Sequence, residues 1–263
     1  MRHAKLAIFA STALTLAGAA QSNAADWSGF YVGGNFGYSW GGSTNTILNS
    51  FNVPAMPPVF FDPFVVPGDT FGPKPNGIIG GAQAGFNWQS ANWVFGVETD
   101  LQASGQKDTD QRTRFFFGID CSSTCDAISS TAITAKLSWF GTLRGRIGQD
   151  FSGLFGYLTG GLAYGKVKIS GSDTISVDEG PDGTIDAVFQ RSFATSKTKV
   201  GWTIGAGVEG QTMWSNWTWR IEYLYIDLGN VNFSDANFTV NASVTDNILR
   251  FALNYRFAPP PPP

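Results

Sequence analysis

The chain has one histidine in 263 residues, and it is His3. If the first segment is removed on export no imidazole is left. That takes away the base of histidine-dependent hydrolases, acyltransferases and proteases, and the usual ligand of most zinc sites. Charge is scarce as well: Asp, Glu, Lys and Arg make up 14% of the residues, against roughly 25% in soluble domains. A surface facing water everywhere would be short of charge. The net charge is −3, which speaks against nucleic acid as a partner, because phosphate backbones need a basic face. Beyond the first twenty-odd positions no apolar run approaches the roughly 18 residues of a spanning helix, so no later helical membrane span is expected. Cysteine is limited to Cys121 and Cys125, too few for a disulfide scaffold.

Residues 1–24 have the form of a secretory signal peptide. Arg2, His3 and Lys5 give a basic start, Leu6 to Ala20 a short apolar segment, and Ser22, Asn23 and Ala24 small residues for cleavage. Cleavage is expected after Ala24, with Ala25 as the alternative. Removal of the segment leaves 15 basic against 20 acidic residues. In an exported chain Cys121 and Cys125 are expected to form a disulfide that closes a small ring at a loop tip. Metal binding by the pair alone is the weaker alternative.

Aromatic residues reach 14%, and they alternate with glycine and small polar residues, as in "GFYVGGNFGYSWG" from Gly29 to Gly41. Strict alternation marks eight strand segments, each with one apolar face and one polar or small face. They begin at Phe30, Gly77, Trp93, Ile133, Leu154, Val200, Trp217 and Leu249. The connections alternate long and short, with Gly41 to Asn76, Gly105 to Ala132, Lys166 to Thr198 and Gly229 to Thr245 as the long ones. This pattern points to an all-β, eight-stranded antiparallel transmembrane up-and-down β-barrel over 25–257, with long extracellular loops and short periplasmic turns. A soluble lipocalin-like barrel would reverse the two faces. Phe86, Trp88, Trp93, Trp217, Tyr255 and Phe257 fall near one end of the strands, and Tyr38, Trp40, Tyr164, Trp202 and Tyr225 near the other. Two such levels fit the aromatic belts of a bilayer.

The charged members of the strands share the face opposite the apolar one. Glu98, Asp100, Glu209 and Glu222 are expected to meet Lys136, Arg144, Arg146, Arg220, Arg250 and Arg256 in a barrel-interior network. In it Glu98 and Asp100 should lie near Arg144, and Glu222 near Arg250. An eight-stranded barrel leaves an interior that side chains can fill, so the network reads either as a plug or as a narrow gated pore. Phe155 and Tyr157 fall on the polar side of the fifth segment and make it the weakest. Gly205 to Gly210 matches G-x-G-x-x-G, but a strand-like segment follows where the dinucleotide fingerprint needs a helix. No catalytic, cofactor or metal residue is assigned.

"DWSGFYVGGNFGYSWG", "GGLAYG" at Gly160 to Gly165, "RIEYLYIDLG" at Arg220 to Gly229 and "NILRFALNYRF" at Asn247 to Phe257 together resemble the small alphaproteobacterial outer-membrane β-barrel proteins. These are a porin-like, immunogenic branch of the OmpA-like transmembrane barrels. The resemblance implies residence in the cell outer membrane, contact with its lipid and lipopolysaccharide, and insertion by the barrel assembly machinery. Phe251, Leu253, Tyr255 and Phe257 resemble that machinery's C-terminal signal, here followed by a Pro-rich periplasmic tail, 258–263, that cannot extend a strand ladder. The function expected is a structural and surface role in the envelope, not an enzyme's. The alternatives are a narrow passage for small solutes and, through the resemblance, a surface receptor for haem or a host ligand. The apolar loop Phe51 to Phe71 is the candidate contact surface, or else packs over the barrel mouth or onto lipopolysaccharide.

Overall fold

The computed structural model describes residues 26–42, 46–48, 51–53, 64–66, 70–120, 124–179, 184–185, 187–214, 216–234 and 238–257. Eight strands close a ring: β1 (Gly29–Gly41), β2 (Asn76–Ser90), β3 (Trp93–Ser104), β4 (Thr124–Asp150), β5 (Leu154–Glu179), β6 (Ala187–Gln211), β7 (Trp217–Ser234) and β8 (Phe238–Arg256). Each is antiparallel to its neighbours, and β8 pairs back onto β1 from Tyr31↔Arg256 to Gly41↔Asp246. The row from Trp40 through Asn247, Tyr225, Ile204, Gly160, Gly145, Val97 and Phe86 returns to β1 at Phe30, ten residues from its start. Such a stagger fits strands tilted by roughly 35–45°. The steps from Phe30 to Trp40 then climb about 25 Å, the height of a lipid-facing band.

Within that band the alternation decides the faces. Phe36, Trp88, Val97, Leu143, Leu158, Ile204 and Leu253 are exposed on the outside, while Asn35, Gln83, Asn87, Thr203 and Asn254 are buried inside. Phe155 and Tyr157, on the polar side of the fifth segment, point inward and are buried. The turns at one end are short: Ala91 and Asn92, 151–153 and 212–216. Ser152 and Gly153 both take positive φ, 58° and 94°, to turn the chain there. Asp150 Oδ1 accepts from the Gly153 N–H at 2.9 Å.

At the other end the structure corrects the sequence reading. Most of 105–132 and 166–198, expected as loops, continues as strand: Lys107–Asp120 pairs with β4 from Lys136 to Thr124, and β5 pairs with β6 up to Val177↔Ala187. Likewise 229–245 is mostly the extended β7–β8 hairpin, with Ser234 opposite Thr239. In this extension the faces are inverted, since Val167, Ile169, Ile175 and Val177 are buried while Lys168, Ser170 and Ser172 are exposed. Outside a bilayer the outer face must be wetted and the inner one can be apolar, as in a soluble sheet.

The inversion on β4 uses a bulge. Gly165 pairs with Phe140 but Val167 pairs with Leu137, so two residues of β4 oppose one of β5. An extra residue exchanges inside and outside for everything beyond it. Ile133, Ala135 and Leu137, read as outward, are therefore buried, and Lys136, read as an interior charge, is exposed. A second bulge lies in β7 between Asp227 and Asn230, where Gly229 supplies a φ of 69°.

Candidate functional site

The barrel interior holds the buried charged residues, and it divides into three layers. The floor, at the short-turn end, is aromatic. Trp27, just ahead of β1, is fully buried there. Its backbone N–H donates to Gln89 Oε1 at 2.7 Å and its Nε1–H to Asp150 Oδ1 at 3.1 Å. Its ring lies 5.5 Å from that of Phe155, which stacks on Tyr157 at 5.1 Å. Arg256 was expected in the charge network, but it stays half-buried at this rim with its guanidinium 5.2 Å from the Trp27 ring. Its position on β8 is one inward-facing residue beyond Asn254 toward the short-turn end, below the level of the acids.

The middle layer contains the other eight expected charges, four acids and four arginines, each no more than 4% exposed. Glu98 and Asp100 project from β3, Arg144 and Arg146 from β4, Glu209 from β6, Arg220 and Glu222 from β7, and Arg250 from β8. Glu98 pairs with Arg144, and with Arg220 at 2.5 Å across the barrel. Asp100 lies 3.2 Å from Arg144 and 3.0 Å from Arg250. Glu222 is 2.6 Å from Arg250 and 3.1 Å from Arg144, and Glu209 is 3.1 Å from both Arg146 and Arg220. The pairings read from the sequence, Glu98 and Asp100 with Arg144 and Glu222 with Arg250, are among these contacts. The layer carries no net charge, and each acid touches at least two arginines.

Neutral donors complete it. Tyr31 Oη donates to Glu98 at 2.5 Å, Tyr157 Oη to Glu222 at 2.7 Å, Thr142 to Asp100 at 2.8 Å and Thr218 to Glu209 at 2.6 Å. Arg146 also lies over the Tyr31 ring, 4.8 Å from its centroid, a favourable cation–π arrangement. The two tyrosines need space that only glycine leaves: Tyr31 lies over Gly85 and Tyr157 over Gly207, where an added Cβ would sit against the phenol. Neither tyrosine was assigned a role from sequence. Their parity on β1 and β5, shared with the polar face, was the signal available.

The third layer, toward the extended end, is apolar. Phe71, Ile79, Leu137, Phe140, Leu224 and Ile248 pack in one buried cluster that continues up through Val167 and Ile169. Phe71, at the end of the loop expected to contact partners or cover the mouth, is buried in this cluster, while 54–63 and 67–69 lie outside the described residues. The side chains of 51–53 and 64–66 lie outside the described residues. Polar groups are buried here as well: Asp246 accepts from Ser39 Oγ at 2.5 Å and from Gln106 Nε2 at 2.7 Å, and further up Asp173 pairs with Arg191 at 2.7 Å.

On the outer wall the aromatics form two belts. Near the short turns, Phe30 lies 5.5 Å from Phe257, Trp217 5.5 Å from Tyr255 and Phe86 4.9 Å from Trp88. At the other level, Trp202 lies 5.5 Å from Tyr225 and Trp139 6.2 Å from Tyr164. Phe251, Leu253, Tyr255 and Phe257 all lie on the outward face of the closing strand. Cys121 and the side chain of Cys125 lie outside the described residues, as do 1–25 and 258–263.

The family model for the outer membrane protein beta-barrel domain matches residues 9–257. The chain is 36% identical over 237 residues to the 31 kDa outer-membrane immunogenic protein of Brucella melitensis biotype 1, covering 88% of this chain and 84% of that one. To the 22 kDa outer membrane protein of Rhizobium leguminosarum bv. viciae it is 29% identical, covering 89% and 80%. Among solved structures it is similar to Neisserial surface protein A, with a TM-score of 0.35 at 15% identity, covering 88% of this chain and 98% of that one.

Proposed function

The chain belongs to the outer-membrane β-barrel protein family, and from that membership we propose that it is a closed, non-conducting barrel that braces the envelope and displays its extended end at the cell surface. It is an integral protein of the bacterial outer membrane with a structural and surface role. The observation that carries the closed reading is the filling of the interior at three successive levels: the Trp27 floor, the arginine–carboxylate layer and the apolar cluster around Phe140. A solute would have to part ion pairs buried on every side, which costs several kcal/mol for each pair broken.

The acids of the middle layer are committed to guanidinium groups, which leaves them poorly placed to serve as general bases, and we assign no catalysis. We read 1–24 as the signal peptide, with cleavage at Ala24 or Ala25, and 258–263 as a periplasmic tail. Cys121 and Cys125 are assigned to a loop-tip disulfide. Phe251, Leu253, Tyr255 and Phe257 are the surface offered to the barrel assembly machinery, and the outer wall contacts lipid and lipopolysaccharide. Planar-bilayer recording tests the closed reading. The folded protein is expected to give no steady unitary conductance; steady openings that change with Arg144→Ala would overturn it in favour of a narrow pore.

A further inference from the structure

Register places three lysines side by side on the outer wall. Lys107 is directly opposite Lys136, and Lys136 directly opposite Lys168, on three successive strands. All three are exposed, and Lys166 follows two residues below Lys168 on the same face. Directly opposed side chains in an antiparallel sheet start about 5 Å apart, so like charges there repel. Among the described residues none of the four has an acidic partner. The outward neighbours Thr109, Thr134, Ser170 and Ser196 are hydroxyls, and Thr109 and Thr134 bond each other at 2.8 Å.

Depth gives the row its meaning. Lys136 lies three residues beyond Trp139, and Lys166 and Lys168 two and four beyond Tyr164, on the strands that carry the Trp139–Tyr164 pair of the outer belt. That puts the ammonium groups about 5–10 Å past the belt, in the headgroup layer and not in the hydrocarbon. Lys136 reaches this wall only because the β4 bulge turns it outward.

We propose that Lys107, Lys136 and Lys168, with Lys166 beneath them, bind the phosphate groups of an outer-leaflet glycolipid, holding a phosphorylated saccharide headgroup against the β4–β5 wall. The site deepens the lipid contact proposed above and rests on the outer-membrane reading. Three cations in a row match a multiply charged headgroup, and the hydroxyls above them supply donors to the remaining phosphate oxygens.

The test uses the mature protein folded into phosphatidylcholine nanodiscs carrying either bis-phosphorylated lipid A or its dephosphorylated form. Amine acylation is read residue by residue by mass spectrometry. With phosphorylated lipid A, modification of Lys107, Lys136 and Lys168 is expected to slow about fivefold, while Lys197, which pairs with the buried Val167 on the inward-facing side of the same ladder and whose Nζ donates to the Asn232 carbonyl, is unchanged. Equal rates with the two lipids would overturn the site. So would equal protection by millimolar inorganic phosphate in lipid-A-free discs, which would mark a free-anion site. Lys136→Gln alone, and together with Lys107→Gln and Lys168→Gln, should abolish the protection of the lysines that remain; persistence of protection overturns the assignment. The gel mobility of boiled and unboiled samples separates the two levels of failure. Loss of the difference in unmodified protein removes the barrel reading itself, whereas its retention with unprotected lysines removes only the lipid site.

Discussion

Arg220 shows at the scale of one residue how the interior is held. It is fully buried and bridges Glu98 on the far side of the barrel to Glu209 on the adjacent strand. A buried ion pair is no better than a well-packed apolar pair for stability, but removing one member leaves the other charge uncompensated. Arg220→Met should therefore destabilise the folded protein by about 3–5 kcal/mol, read from urea unfolding in phosphatidylcholine vesicles; an unchanged midpoint would contradict the network. At this scale the sequence was informative wherever a side chain's charge and its strand parity agreed, as for Glu98, Arg144, Glu222 and Arg250. It was silent on Tyr31 and Tyr157, because a phenol on a polar face reads as misplaced bulk until the glycine beneath it, Gly85 or Gly207, is seen across the ladder.

At the scale of the element, β4 is the instructive case. Alternation read straight through from Ile133 to Ile147 assigns Lys136 to the interior, and nothing in the residues Ser138 and Trp139 announces that one extra position is inserted there. Either residue fits either face of a strand at the membrane boundary. The same boundary hid the extended hairpins. On β5 the stretch from Lys166 to Glu179 alternates as regularly as the membrane part, but with apolar residues inside, and a search for strands with an apolar outer face passes over it. The flip predicts a labelling contrast. With both native cysteines replaced by serine, Lys136→Cys should react readily with a membrane-impermeant maleimide in the folded protein while Leu137→Cys stays protected. Comparable labelling of the two would mean that the strand runs on without the bulge.

At the scale of the whole molecule, the eight membrane segments and their order were legible because a bilayer imposes one rule on every strand at the same height, and the repetition makes the pattern stand out. The part above the bilayer obeys the ordinary rule of a soluble sheet and blends with loop sequence. A closed ring with eleven seam pairs between β1 and β8 should resist sodium dodecyl sulfate until heated. The folded protein is accordingly expected to migrate differently on gels before and after boiling, and identical migration would count against closure. The buried charges also have an order along the chain. β3 brings two negative charges and β4 two positive ones, so the first half of the barrel balances by itself. β6 then adds Glu209, β7 adds Arg220 and Glu222 together, and a single negative charge stays uncancelled until Arg250 arrives on β8. The closing strand β8 thus supplies both the last edge and the balancing charge, so a ring without it is open and electrically unbalanced at once.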